Sequence, residues 1–385
     1  MLLSQKALVG GRGYWLWMTC LLLVVLAGLL CYLRQLAQGL VITGLSRDVT
    51  WGIYIAQFTF FVGIAASAVT VVLPYYLHDC KEFSRLTILG ELLAISAVLM
   101  SVLFIIVDLG QPSRILNIVL HPQAQSVMFW DMIALSGYFL INIVIASGTV
   151  NAGREHVSPP GWIKTLAFVS IPWAVSIHTV TAFLFSGLPG RSYWLTAILA
   201  PRFLASAFSS GSALLILLCF LIRKMTAFNV GSEAPSKLAV ILAYATAINV
   251  FFILAEVFTA FYSEIPDHEA GFEYLFVGLG GDYHLVPWMW LSFLLSLIAL
   301  TLLLVPQWRT NSRWLVIACV CIFVSIWLDK GLGLIIAGFV PSPLGAVTRY
   351  VPTLPECTIV AGIWAIGALV TTAFFKTAFS SWEGN

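Results

Sequence analysis

Charge is what this sequence has least of. Only 9% of its 385 residues are Asp, Glu, Lys or Arg, while 60% are hydrophobic; a soluble domain carries about 25% charged residues. A chain so poor in charge cannot dress a water-facing surface, which makes it an integral membrane protein. The net charge is only +2 and the basic residues are scattered in ones and twos, so the sequence offers no nucleic-acid-binding surface. Histidine is scarce as well. Of six in the chain only His178 lies well inside an apolar stretch, too few for a bis-histidine haem. The seven cysteines form no C-x-x-C and no C-x-x-C-H, so the expectation is a chain with no iron–sulfur cluster and no covalent haem of its own. Short repeats and low-complexity tracts are also lacking.

Apolar length is abundant instead. A membrane-spanning helix needs about 20 mainly apolar residues, and ten stretches meet that need: 14–34, 52–77, 86–108, 129–149, 165–187, 203–222, 238–262, 286–305, 314–340 and 357–379. The expected fold is all-α, a single polytopic domain over 1–385 with about ten transmembrane helices. Helices two to five (52–187) and six to nine (203–340) are expected to form two four-helix bundles, with helices one and ten peripheral. The first stretch follows basic residues as a signal peptide does. It contains Trp15 and Trp17, lacks an A-x-A exit and exceeds the about 7–15 residues of a signal's apolar region, so it is read as a retained helix.

An even number of spans puts both termini on one side. The N-terminal tail, the even-numbered connections and the C-terminal tail hold Lys6, Arg12, Lys81, Arg85, Arg154, Lys164, Arg223, Lys224, Lys237, Arg309, Arg313 and Lys376, twelve in all. The odd connections hold Arg34, Arg47, Arg114, Arg191, Arg202 and Arg349, six in all. Cytoplasmic loops are the basic ones, so both termini are expected in the cytoplasm. The outer connections are longer and carry most of the loop acids. One of them, Glu264–His284, reads either as a solvated loop or as a docking surface. Trp51, Trp130, Trp194, Trp288 and Trp290, near segment ends, fit interfacial belts.

An ionisable side chain within a membrane helix costs about 2.5–3.5 kcal/mol on insertion scales and is by default a functional candidate. Asp108 closes helix three, Asp131 opens helix four, and the loop between them carries Gln111, Arg114 and His121. With the orientation above, both acids and His178 fall in the outer half of the membrane. Glu256, His284, Asp329 and Lys330 do the same in the second half of the chain, and Glu91 alone lies towards the cytoplasm. Polar groups collected at one depth suggest a pocket that exchanges protons with a molecule apolar enough to arrive through lipid. A quinone fits, because its redox chemistry moves two electrons and two protons; His178, Tyr54 or Gln57 can donate to its carbonyls, and carboxylates can relay its protons. Plainer roles stay open for each residue. His178 can be a satisfied interhelical hydrogen bond, and Asp108 and Asp131 can pair with Arg114 or favour helix ends. Asp329 and Lys330 can neutralise one another.

Five segments carry a family likeness: SRDVTWGIYIAQFTFFVGIAASA (Ser46–Ala68), VDLGQPSR (Val107–Arg114), HPQAQSVMFWD (His121–Asp131), HTVTAFLFSGLPGRSYW (His178–Trp194) and APRFLASAFSSGSA (Ala200–Ala213). Together they resemble the polysulfide reductase membrane-subunit (NrfD/PsrC-like) family. The wording is closest to its sulfate-reducer branch, the DsrP subunit of the DsrMKJOP complex and the related HmcC subunit. The resemblance implies a quinone-interacting subunit of a respiratory complex in the cytoplasmic (inner) membrane, surrounded by lipid and linked to sulfate or sulfite reduction. It would bind menaquinone near the outer face and exchange electrons with a periplasmic-side ferredoxin-like iron–sulfur subunit and a multihaem cytochrome c, alongside other membrane and cytoplasmic subunits. Carried onto this chain, the pocket lies in helices two to five, with Tyr54, Gln57, Asp108, Asp131 and His178 as contacts or proton relays and Arg114 and Trp130 beside them. Some relatives have a His and an Asn early in helix two, where this chain has Tyr54 and Gln57. Two competing readings remain: a secondary transporter, for which Gly331-Leu332-Gly333 beside Asp329-Lys330 would be a helix break, and a purely structural anchor for redox subunits.

Overall fold

The computed structural model describes residues 10–66, 68–78, 80–154, 159–226, 231 and 233–379. Among them, ten helices are long and apolar enough to cross a membrane, and each falls on one of the ten apolar stretches. They are α1 (Arg12–Gln38), α2 (Ile53–Leu77), α3 (Lys81–Asp108), α4 (Val127–Ala152), α5 (Gly161–Ser186), α6 (Leu199–Met225), α7 (Glu233–Ser263), α8 (Val286–Leu304), α9 (Ser312–Ala337) and α10 (Leu354–Ala378). Helices are what a bilayer allows, since a backbone without water must satisfy its own N–H and C=O groups.

The helices close into two rings. α2 packs on α3, α3 on α4, α4 on α5, and α5 returns to α2; α6 to α9 do the same, with α9 back against α6. The rings meet where α2 and α5 touch α6, and where α2 touches a π-helical turn, Trp327–Gly333, inside α9. α10 lies against α2 and α3 and pairs with α1. α2 is the hub: every residue from Ile53 to Ala66 is buried. Small residues allow the close approach to α6. Gly63 faces Ala207, the Ser212 and Thr70 hydroxyls are 3.2 Å apart, and Ser209 and Ser210 donate to carbonyls of their own helix at 2.9 Å.

α1 buries only Leu21, Gly28 and Gln35. These are spaced by seven, which is close to two turns, and so share one face. That face meets α10 backbone to backbone: a Cβ on Gly28 would lie 2.8 Å from the Gly362 Cα, and one on Gly362 would lie 2.9 Å from the Gly28 Cα.

Two expectations are corrected. Trp194 is not interfacial. It is fully buried against Trp51, Phe185 and Phe339, with its indole N–H donating to the Leu334 carbonyl at 2.8 Å. The acidic stretch after α7 is not simply a solvated loop, because Pro266–Phe276 is a helix that buries Gly271, Phe272, Tyr274 and Leu275. Asp267 and Glu269 sit in its first turn, where carboxylates favour the helix dipole.

The Gly28–Gly362 crossing gives a direct test. Gly362→Ala overpacks it and should destabilise the protein by about 1–3 kcal/mol. Gly13→Ala, where a Cβ meets nothing within 4 Å, should leave the apparent Tm in detergent unchanged or slightly higher.

Candidate functional site

At one end of the bundle α1 and α3 finish while α2 and α10 begin, and a polar cluster gathers there. Tyr54, one residue into α2, is fully buried and donates its hydroxyl to Gln35 Oε1 of α1 at 2.8 Å. Gln35 Nε2 donates to the carbonyl of Val107 at 2.6 Å, immediately before Asp108. Asp108 Oδ1 is buried and has no hydrogen-bond partner among the described residues. Asp108, Glu356, Cys31 and Cys357 all lie within electrostatic reach of the Tyr54 phenol.

Glu356 fixes the start of α10. Thr353 and Glu356 form a capping box, with the Thr353 N–H donating to Glu356 Oε2 at 2.8 Å and the Glu356 N–H directed at the Thr353 hydroxyl at 3.5 Å. The same carboxylate accepts from the Gly44 N–H at 2.7 Å and the Tyr350 hydroxyl at 2.9 Å. Tyr350 in turn accepts from the Ile53 N–H at 2.9 Å, so one buried acid ties the Gly44 segment and the start of α10 to the start of α2. Burial, and then the adjacent Glu356, hold the Tyr350 phenol well above its ordinary pKa, so it stays a proton donor.

One turn below Tyr54 lies Gln57, fully buried. Its Oε1 accepts from the indole N–H groups of Trp327 at 2.9 Å and Trp364 at 3.1 Å. Its Nε2 is buried without a partner among the described residues. The two indoles also line an apolar groove of about 480 Å³ between α1, α9 and α10.

A second polar set lies on the facing sides of α4, α5 and α9. Asp131, fifth residue of α4 and therefore past the helix start, accepts a hydrogen bond from Thr181 Oγ1 at 2.6 Å. Three residues before Thr181, and so on the same face of α5, His178 has Nδ1 3.1 Å from the Ala174 carbonyl. With Nδ1–H donating there, Nε2 is a free acceptor, and it has no partner among the described residues. Lys330 of α9 is within electrostatic reach of His178. Its ammonium sits 4.2 Å from the Phe203 ring centre and 3.4 Å from the Phe203 carbonyl. Gly63 leaves space for it, since a Cβ there would lie 3.3 Å from Nζ.

Asp329 does not neutralise Lys330. The acid is taken by Arg202, whose Nη2 lies 2.8 Å from Oδ1, and the same guanidinium also pairs with Glu256. Arg202, expected in an outer connection, is therefore buried inside α6, which begins at Leu199. With two carboxylates as partners, a guanidinium is less costly within the helix bundle than either acid would be alone. The π-turn lets the consecutive residues Asp329 and Lys330 both point inward. His284 stands outside this group, 3.0 Å from Arg349.

The structure thus brings Tyr54, Gln57 and Asp108 to one end, and Asp131 and His178 to a separate face. Arg114 and Trp130 are exposed, the latter donating to the Ala124 carbonyl at 2.8 Å. Arg114 forms no ion pair among the described residues. Glu91 is fully buried, with neither oxygen hydrogen-bonded among the described residues. Three residues escaped the sequence reading. Gln35 looked like the ragged end of a peripheral helix, and Arg202 like a loop residue. Glu356 carried a usable signal in T-x-x-E before an apolar run.

A family model described as "Polysulphide reductase, NrfD" matches residues 41–341. A Halobacterium salinarum protein provisionally named as the membrane component of a dimethyl sulfoxide reductase is 27% identical, covering 94% of this chain and 90% of its own. The menaquinone reductase integral membrane subunit of Nitratidesulfovibrio vulgaris is 23% identical, with 94% and 91% covered. The Hdr-like menaquinol oxidoreductase integral membrane subunit of Archaeoglobus fulgidus is also 23% identical, with 77% and 72% covered.

The ion cluster predicts a stability phenotype. Arg202→Leu leaves two buried acids without a cation and should cost about 3–5 kcal/mol in thermal unfolding. Adding Glu256→Gln and Asp329→Asn to it should restore part of that loss.

Proposed function

The chain belongs to the polysulphide reductase NrfD family of membrane subunits, and from that premise we propose that it is the quinone-reactive membrane subunit of a respiratory oxidoreductase complex. The carrying observation is the Asp108 end, where a buried carboxylate oxygen and a buried amide nitrogen lack partners beside an apolar groove. These groups suit a head group with hydrogen-bonding carbonyls and an apolar body. Menaquinone supplies two-electron, two-proton chemistry when bound there, and the names of the Archaeoglobus and Nitratidesulfovibrio relatives support that choice.

Each residue has a definable part. Gln57 has its oxygen saturated by two indoles, so Nε2 is its one free group and donates to a carbonyl oxygen. Tyr54, held by Gln35, presents its oxygen as an acceptor at a fixed position. Asp108 takes and returns protons, with no cation paired to it among the described residues to hold it ionised. The set formed by Asp131, Thr181, His178 and Lys330 offers a further route for protons through the interior. Both termini are cytoplasmic in this reading, with the Asp108 end towards the outer face; moving Arg202 into α6 removes a basic residue from the outer connections and strengthens that charge asymmetry. The external partners are a ferredoxin-like iron–sulfur subunit and a multihaem cytochrome c, in a complex linked to sulfate or sulfite reduction. The sequence motifs support that finer assignment.

In the assembled complex, Asp108→Asn should lower menaquinone-linked turnover by about 10²-fold or more, with the same set of partner proteins retained on purification. Wild-type turnover in that variant would overturn the assignment.

A further inference from the structure

We propose that the groove between α1, α9 and α10 seats the isoprenoid tail of the quinone whose head group is handled at the Asp108 end, an inference that rests on the function proposed above. The groove holds about 480 Å³, within the ~300–1,000 Å³ usual for small-molecule sites. It is a slot. Its α10 wall runs from Cys357 to Ala368, about 16 Å at 1.5 Å per residue. Leu21 and Val24 of α1 form one side, and Trp327 and Trp364 form the other. The indole N–H groups are both engaged by Gln57, so the slot meets only their carbon edges and faces.

Its two ends differ. Cys357 follows Glu356 directly and lies within electrostatic reach of Tyr54, so the slot begins at the polar cluster. At the other end, near Ala368, α1 turns Leu22, Leu23 and Leu26 outward, so a chain longer than the slot continues into lipid. Gln57, with its free Nε2, hydrogen-bonds both indoles that line the slot and lies one turn along α2 from Tyr54, and so connects the slot to the polar cluster. Lipid is already as apolar as leucine, so moving a tail from bilayer to groove brings little hydrophobic gain. What the groove supplies is position, because a stiff tail held along α10 restricts the head group to one approach. Planar, methyl-branched isoprene units match rigid indoles and the alanine-sized recesses at Ala361 and Ala368 better than a saturated acyl chain does.

The test uses the assembled complex in liposomes with two substrates, a menaquinol of full isoprenoid length and its tail-less naphthoquinol counterpart. Ala361→Phe and Ala368→Phe fill the groove. Each should raise KM for the tailed quinol about tenfold while leaving the tail-less quinol within about twofold of wild type. Equal effects on both substrates, or none on either, would overturn the groove assignment while the quinone function stands. A wild-type complex that turns over neither substrate would remove the quinone function and this proposal with it. A second measurement needs no variant: a diazirine on the menaquinone tail should label α10 between Cys357 and Ala368, and excess menaquinone should compete. Competition by phospholipid as strong as by menaquinone would mark a general lipid groove and overturn the proposal.

Discussion

Arg202 reaches from α6 to two carboxylates, Glu256 on α7 and Asp329 on α9, with all three buried inside the bundle. Separating the three leaves uncompensated charge in a low-dielectric interior, so the packing of α6, α7 and α9 is bound to their meeting. The pairing also determines where Lys330 goes. With Asp329 committed to Arg202, the lysine turns to the Phe203 ring and the space above Gly63. It thereby lies at the junction of the two rings, within electrostatic reach of His178.

Chemistry and access are divided between two sides of α2. One side carries Tyr54 and Gln57 towards α1 and α10, where polar atoms without partners adjoin an apolar slot. Across the bundle, α5 sets Thr181 against Asp131 of α4 and His178 within electrostatic reach of Lys330 of α9, with the His178 Nε2 also lacking a partner among the described residues. Both sets therefore keep unspent hydrogen-bonding capacity, and what sets the first apart is the apolar slot beside it.

The spans were legible in the sequence and their rotation was not. The ten helices follow from the length of the apolar stretches alone. Which way each residue faces requires an apolar stripe, and helices that are apolar all round have none. α2, buried on every side, is the extreme case. That is why the sequence groups Asp108 and Asp131 together without giving their separate neighbours, Tyr54 for the one and Thr181 for the other. Arg202 was misplaced for a related reason. A guanidinium before an apolar run reads as a loop residue until its acids, more than one helix away in sequence, are seen beside it.

The pairing of α1 with α10 joins the two ends of the described chain. α1 precedes its main helical neighbour among the described residues, α10, by eight membrane-length helices. α1 must wait in lipid, and its almost wholly leucine-rich exterior makes that wait inexpensive. Until α10 docks at Gly28, Glu356 is not yet in place to hold the Gly44 segment and the start of α2. The anchor of the Asp108 end is thus supplied by a helix that follows, in the order of translation, the nine it joins.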